Sequence, residues 1–292
     1  MNYRIDPQCI DCILEKFINK APEGVDKDVE MAYKLGVLKI IADGGKELTA
    51  PEIVADVTEY KNRTFGETDD FYEVKHKFNA LMLQKEAAMQ STIDRSADPF
   101  KTALKFAQLG NYIDFGAMYS VSEQTLDTLL ETAEDMPLDE AEYDNLCKEL
   151  KFAEEMVLCT DNCGEIVADK LLVKQIKKLF PNVKITVIVR GSAALNDATT
   201  EDAEQIGLCD IVKVIGNGTN IAGTVINRLG TEAKAAFDSA DVIIAKGQGN
   251  FETLHDCGFN VYYMFLCKCN LFSEKFKKPC LTPMFLNEKR MN

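Results

Sequence analysis

Apolar residues recur at helical spacing through the first half of the chain and in short alternating blocks through the second. Cys9 to Ile18 and Asp26 to Ala42 both show the period of an amphipathic helix, the second stopping at Gly44-Gly45. Thr49-Ala-Pro-Glu52 reads as a third helix start, with a capping threonine, a proline in the first turn and a glutamate three residues past the cap. Further helical patterns run from about Asp69 to Met89, from Asp98-Pro99 through Leu109, from Ser122 to Ala133 and from Asp139 to Glu149. Between them, Gly110-Asn-Tyr-Ile-Asp-Phe-Gly116 reads as a loop with Asn111 and Asp114 between flanking glycines. Such a loop can deliver polar side chains to a neighbouring site or be an ordinary helix-to-helix turn. No strand signal precedes about residue 115, so residues 1–150 are predicted to form an α-helical subdomain or cap.

From Glu155 onward the texture changes. Strands are expected at Met156–Cys159, Lys184–Val189, Ile211–Ile215, Val242–Ala245 and Val261–Leu266. Helical patterns lie between them at Glu165–Phe180, Thr200–Ile206, about Ile221–Leu229, Glu232–Ser239 and near Phe251–His255. Val- and Ile-rich strands alternating with helices indicate a parallel sheet covered on both faces. The fold class is α/β: the helical subdomain packs on a Rossmann-like, mainly parallel three-layer α/β domain over 151–292.

In such a sheet, ligands bind outside the carboxyl ends of the strands. The first strand ends at Asp161-Asn162, the second at Arg190-Gly191 and then Asn196-Asp197, and the fourth at Lys246-Gly-Gln-Gly-Asn250. Asp161, Asn162 and Asp197 can offer oxygen ligands to a hard divalent cation. Lys246 can meet a phosphate as a point charge, Arg190 can do so in bidentate fashion, and the glycines beside Lys246 let backbone N–H groups approach an anion. The bland alternatives are helix caps for Asp161, Asn162 and Asp197, a solvated end for Lys246 and surface carboxylate partners for Arg190. Their recurrence at equivalent strand ends favours a site.

Composition narrows the partners. In 292 residues, 33 Lys and Arg face 47 Asp and Glu, a formal net charge of -14, which disfavours nucleic acid or an anionic membrane as the main partner. No apolar segment approaches a membrane span and the N-terminus lacks a signal-peptide core, so a cytoplasmic protein is expected. Most of the ten cysteines should be reduced, buried thiols. Cys9-x2-Cys12 and Cys267-x-Cys269 together supply four thiolates for zinc, but the second spacing is tight and buried thiols are the favoured reading.

Several chemistries lack their residues. No cysteine carries the Cys-x5-Arg spacing of cysteine phosphatases, and Cys163 stands where a phosphoaspartate motif needs its second aspartate. Ile221 replaces the third glycine of a dinucleotide fingerprint after Gly216-Asn-Gly218. With His76 and His255 alone, a histidine-rich metal centre or a Ser-His-Asp triad has little material, and His255 reads as a surface residue.

Taken together, Asp161-Asn-Cys-Gly-Glu165, Asn196-Asp197-Ala-Thr and Lys246-Gly-Gln-Gly-Asn250-Phe-Glu252 resemble the damage-control phosphatases, formerly a family of unknown function. Gly110-Asn-Tyr-Ile-Asp114, Cys9-x2-Cys12 and Lys268-Cys269 resemble its prokaryotic branch, so the likeness spans nearly the whole chain. Cys163 departs from the alanine common in the first motif. The resemblance implies a metal-dependent phosphatase of small phosphorylated metabolites, including sugar phosphates and damaged cofactor precursors. By motif, Asp161, Asn162 and Asp197 are its metal ligands for one divalent ion (Mn, Ni, Co or Mg), and Lys246 binds phosphate. Glu165, Asn111, Asp114 and Asn250 are implied neighbours of the site, with Glu165 or Asp114 positioning the water. Two other readings stand beside this one: an S-adenosylmethionine-dependent carboxyl methyltransferase, by fold analogy, and a non-catalytic phosphometabolite sensor. The physiological substrate and the oligomeric state stay open.

Overall fold

Alternation along the strands sorts the core into two layers. In β1 (Glu155–Cys159), Met156 and Leu158 face one side of the sheet, and Val157 and Cys159 face the other. This computed structural model describes residues 4–66, 71–117 and 130–291, the side chains of 112–117 excepted. The sheet adds β2 (Lys184–Val189), β3 (Lys213–Gly216), β4 (Val242–Lys246), β5 (Val261–Leu266) and β6 (Pro283–Asn287), in the order β3-β2-β1-β4-β5-β6. Five strands are parallel and β6 runs antiparallel to β5. Strand order reverses between β1 and β4, the switch point at which ligands bind in open α/β sheets. Cys159 pairs with Ile188 of β2 and Ala245 of β4, so the residues that follow all three emerge at one level.

One face of the sheet carries α4 (Tyr72–Arg95), α5 (Pro99–Ala117), α6 (Glu140–Leu150), α7 (Glu165–Leu179) and α8 (Thr200–Gln205). The other carries α9 (Thr231–Ser239), α10 (Gln248–Leu254) and α11 (Asn270–Phe276). The N-terminal helices α1 (Pro7–Phe17), α2 (Lys27–Gly44) and α3 (Ala50–Phe65) bury a cluster of their own around Tyr33, Val37 and Ile53. Ala55 of α3 joins this unit to Ile221 and Val225, beyond β3. Thr49 and Glu52 form the expected capping box.

The structure departs from the sequence pattern in three places. Residues 110–116 are not a loop, because α5 continues through Ala117. A Cβ on Gly110 would lie 2.6 Å from Cγ of Glu165, so this glycine serves close helix packing rather than a turn. The helix expected at Ile221–Leu229 is instead irregular chain with a single 3-10 turn at Ile226–Arg228. Side chains capture its backbone donors: Thr253 Oγ1 accepts from Thr224 N at 2.8 Å and Thr219 Oγ1 from Ile221 N at 3.4 Å. Finally, β6 was not anticipated; it is a half-buried edge strand opening on Pro283, and Met284, Phe285 and Leu286 face alternate sides of the sheet without any polar residue between them to mark the period. The pattern at Ser122 to Ala133 lies largely outside the described residues, as does the start at Asp69. Among the described residues, no helix is long and apolar enough to cross a membrane.

Candidate active site

Asp161 and Asn162 follow β1, and Gly164, at φ +72°, begins α7 with no side-chain cap. Capping is therefore not their role. Asn162 Nδ2 donates instead to Asp161 Oδ2 at 2.8 Å and to Glu165 Oε2 at 3.2 Å. Backbone bonds fasten this segment to the one after β2. Cys163 N donates to Asn196 O at 2.9 Å, Ala198 N donates to Asp161 O at 2.7 Å, and Asn162 and Asp197 form an isolated antiparallel bridge. Asp197 is no cap either, since Thr199 with Asp202 caps α8. Asp161, Asn162 and Asp197 are all buried.

Two buried cations flank the group. Arg190 Nε donates to Asp197 Oδ2 at 2.5 Å, while Nη1 reaches Gly223 O, Asn250 Oδ1 and Thr224 Oγ1 at 2.9, 3.2 and 3.4 Å. Its Nη2 has no hydrogen-bond partner and lies 3.7 Å from Asp161 Oδ1. Asn250 Nδ2 donates to Thr160 O at 3.0 Å and Lys246 O at 2.6 Å, locking the ends of β1 and β4 together. On the other side, Lys246 is fully buried; its Nζ pairs with Glu165 Oε1 and, at 2.7 Å, with Asp169 Oδ1. Glu165 Oε2 accepts from Asn111 Nδ2 at 3.2 Å, and the same nitrogen donates to Asp161 Oδ2 at 2.9 Å. Asn111 Oδ1 in turn accepts from Leu266 N at 3.2 Å.

Burial pushes the Asp169 carboxyl up to about 7 against the pull of the Lys246 ammonium, and Glu165 adds to the rise. Burial also opposes the charge of Lys246, but Asp169 and Glu165 outweigh it and hold the ammonium above its usual value. Asp169 went unnoticed in the sequence. Its signal is the four-residue spacing from Glu165, which puts both carboxyls on one face of α7.

The structure thus brings together Asp161, Asn162, Asp197, Arg190, Asn250, Lys246, Glu165 and Asn111. Asp114 belongs to α5, three residues beyond Asn111, and its side chain lies outside the described ones. His255 is partly exposed and stacks on Phe251, with ring centroids 5.0 Å apart. With Asp256 and Glu288 it forms the one trio of His, Cys, Asp or Glu, among the described residues, whose ligand atoms lie within 4.8 Å of one another. Glu288 directly follows β6, whose Asn287 pairs with Tyr262 near the start of β5, so this trio occupies the opposite edge of the sheet. No three of Cys9, Cys12, Cys267 and Cys269 approach that closely among the described residues. All ten cysteines are free, but Cys159, Cys163 and Cys267 alone are buried, fewer than expected.

Acid, amide and acid gather at adjacent strand ends of a Rossmann-like sheet, the edge at which open α/β proteins bind their ligands. The chain matches the Damage-control phosphatase ARMT1-like domain over residues 5–280, and it belongs to that family. It is 30% identical over 284 residues to a damage-control phosphatase of Pyrococcus horikoshii, covering 94% of this chain and 95% of that one. A damage-control phosphatase of Archaeoglobus fulgidus is 30% identical over 275 residues, covering 91% of this chain and 93% of that one. The crystal structure of a DUF89 family protein from Pyrococcus horikoshii superposes with a TM-score of 0.84 at 26% identity, over 99% of this chain and 100% of that one.

Proposed function

We propose that the chain is a metal-dependent phosphatase that hydrolyses phosphomonoesters of small metabolites. The observation that carries this reading is the convergence of Asp161, Asn162 and Asp197 at adjacent strand ends, buried together and flanked by the cations Arg190 and Lys246. Such a donor set fits a divalent cation. Asp161 and Asp197 would supply carboxylate oxygens and Asn162 an amide oxygen, its Nδ2 being turned toward Asp161 and Glu165. An all-oxygen set suits Mg2+ and Mn2+, with Ni2+ and Co2+ compatible. The names of the Pyrococcus and Archaeoglobus relatives support the phosphatase class.

Bound there, the cation would supply Lewis acidity at a phosphoryl oxygen. The protein's own groups do the rest. Arg190 Nη2, the unpaired donor beside Asp161, hydrogen-bonds a phosphoryl oxygen and stabilises charge that grows in the transition state. Lys246 has two donors engaged by Glu165 and Asp169, so it contributes positive field beneath the phosphate and holds Glu165 in place. Both oxygens of Glu165 are taken by Asn111, Asn162 and Lys246, which argues against its orienting the attacking water. A cavity of about 370 Å3 between α3 and the segments after β2 and β3, lined by Val54, Ala55, Asn62, Ala194 and Asn220 among others, has room for a small leaving group.

The test is a phosphate-release screen over sugar and cofactor phosphates, run without metal and with Mn2+, Ni2+, Co2+ and Mg2+ in turn. The reading predicts release that requires a divalent ion. Tight binding of esters with no turnover under any metal would instead describe a sensor.

A further inference from the structure

Asn79 of α4 belongs to none of the motifs at the strand ends, yet it is fully buried behind them. Its Oδ1 accepts from Gly164 N at 2.6 Å, and its Nδ2 donates to Asp202 Oδ1 at 2.9 Å and Gln205 Oε1 at 2.8 Å. Gly164 stands two residues after Asn162. Asp202 holds the start of α8, accepting from Thr199 N and Oγ1 at 2.8 Å each, and Thr199 stands two residues after Asp197. Lys75, one turn before Asn79, closes the network with Nζ 2.7 Å from Asp202 Oδ2, both side chains buried. A single carboxamide from the helical half therefore ties together the two segments that carry Asp161, Asn162 and Asp197.

We infer that Asn79 is a positioning residue that sets the spacing between the Asp161–Asn162 segment and Asp197, and through it the affinity of the site for a divalent cation. This rests on the metal reading above. A carboxamide accepts on one side and donates on the other, whereas a carboxylate cannot donate to Asp202. An apolar group would leave Gly164 N and Asp202 Oδ1 without this partner in a buried setting. Groups that orient metal ligands in this way commonly alter affinity about 10- to 100-fold.

Mn2+ is titrated calorimetrically, without substrate, into the wild-type protein and the Asn79→Ala, Asn79→Asp, Asp202→Asn and Asn79→Asp/Asp202→Asn variants. Asn79→Ala should weaken Mn2+ about tenfold or more. Asn79→Asp should do the same by setting two carboxylates against each other. The double exchange restores a donor and an acceptor across the pair and keeps the cap on Thr199, but it turns a carboxylate oxygen toward Gln205 Oε1 and leaves Lys75 against an amide oxygen, so part of the affinity should return. Met89→Ala, in the core of the same helix, serves as a control for lost stability and should keep wild-type affinity. Wild-type Mn2+ affinity in Asn79→Ala, no recovery in the double exchange, or an equal loss in Met89→Ala would each overturn the inference alone. A wild-type protein that takes up no divalent ion would sink the metal reading and this inference with it.

Discussion

Gly247 and Asp161 meet across the switch point between β4 and β1, and the glycine has no side chain because the Asp161 carboxylate fills that space. Gly247 also holds φ at +79°, a conformation that side chains resist. Gly247→Ala should displace Asp161. A shift of about 1 Å at such a group can cost about a hundredfold in rate, so kcat/KM for phosphate release should fall on that scale. The strain should lower stability by about 1–3 kcal/mol, read by thermal unfolding. A wild-type rate in this variant would mean that Asp161 is not seated where the reaction needs it.

Arg190 neutralises Asp197 where no solvent can. Removing one partner of a buried pair leaves an uncompensated charge, which costs about 3–5 kcal/mol. Arg190→Met should lose that much in urea unfolding. Arg190→Lys keeps the charge but not the planar fork that serves Asp197, Gly223 and Asn250 together, so its stability should fall between the two. Inhibition by inorganic phosphate should weaken in both, since Nη2 is the donor left to meet it. Equal stability of Arg190→Met and the wild type would refute the pairing.

Asp169 gives the fold a pH dependence of known sign. Its carboxyl titrates at about 7 in the folded chain against an ordinary 3.8. The folded state therefore keeps a proton that the unfolded chain releases, and this stability is lost as pH rises from about 4 through about 7. Asp169→Asn has no such proton to lose. Urea unfolding at pH 5 and pH 8 should show the variant gaining stability relative to the wild type at the higher pH. A stability difference that stays flat or moves the other way would contradict the assignment.

Much of the candidate site was legible because a parallel sheet delivers its strand ends to one edge. Asp161, Arg190, Asp197 and Lys246 were placed by counting from Val- and Ile-rich strands, and the registers among β1, β2 and β4 bear out that common edge. What stayed hidden depends on partners distant in sequence. Asn79 and Asp169 are polar residues within amphipathic helices; spacing puts Asp169 on the Glu165 face of α7, but nothing local shows that this face meets Lys246, or that Asn79 meets Gly164, rather than solvent. Gly110 was misread for a related reason. A glycine that opens a turn and a glycine that admits Glu165 look alike until α5 and α7 are packed. Threonines that take over backbone donors likewise turn the helical pattern at 221–229 into irregular chain.

The central claim is that Asp161 holds a cation on which phosphate release depends. The most direct measurement follows Mn2+ binding and phosphate release side by side, in the wild-type protein and in Asp161→Ala. The account predicts release by the wild type that stops on chelation, and loss of both Mn2+ binding and release in the variant while the fold is retained. Metal-independent release by the wild type, or full Mn2+-supported release by Asp161→Ala, would contradict it.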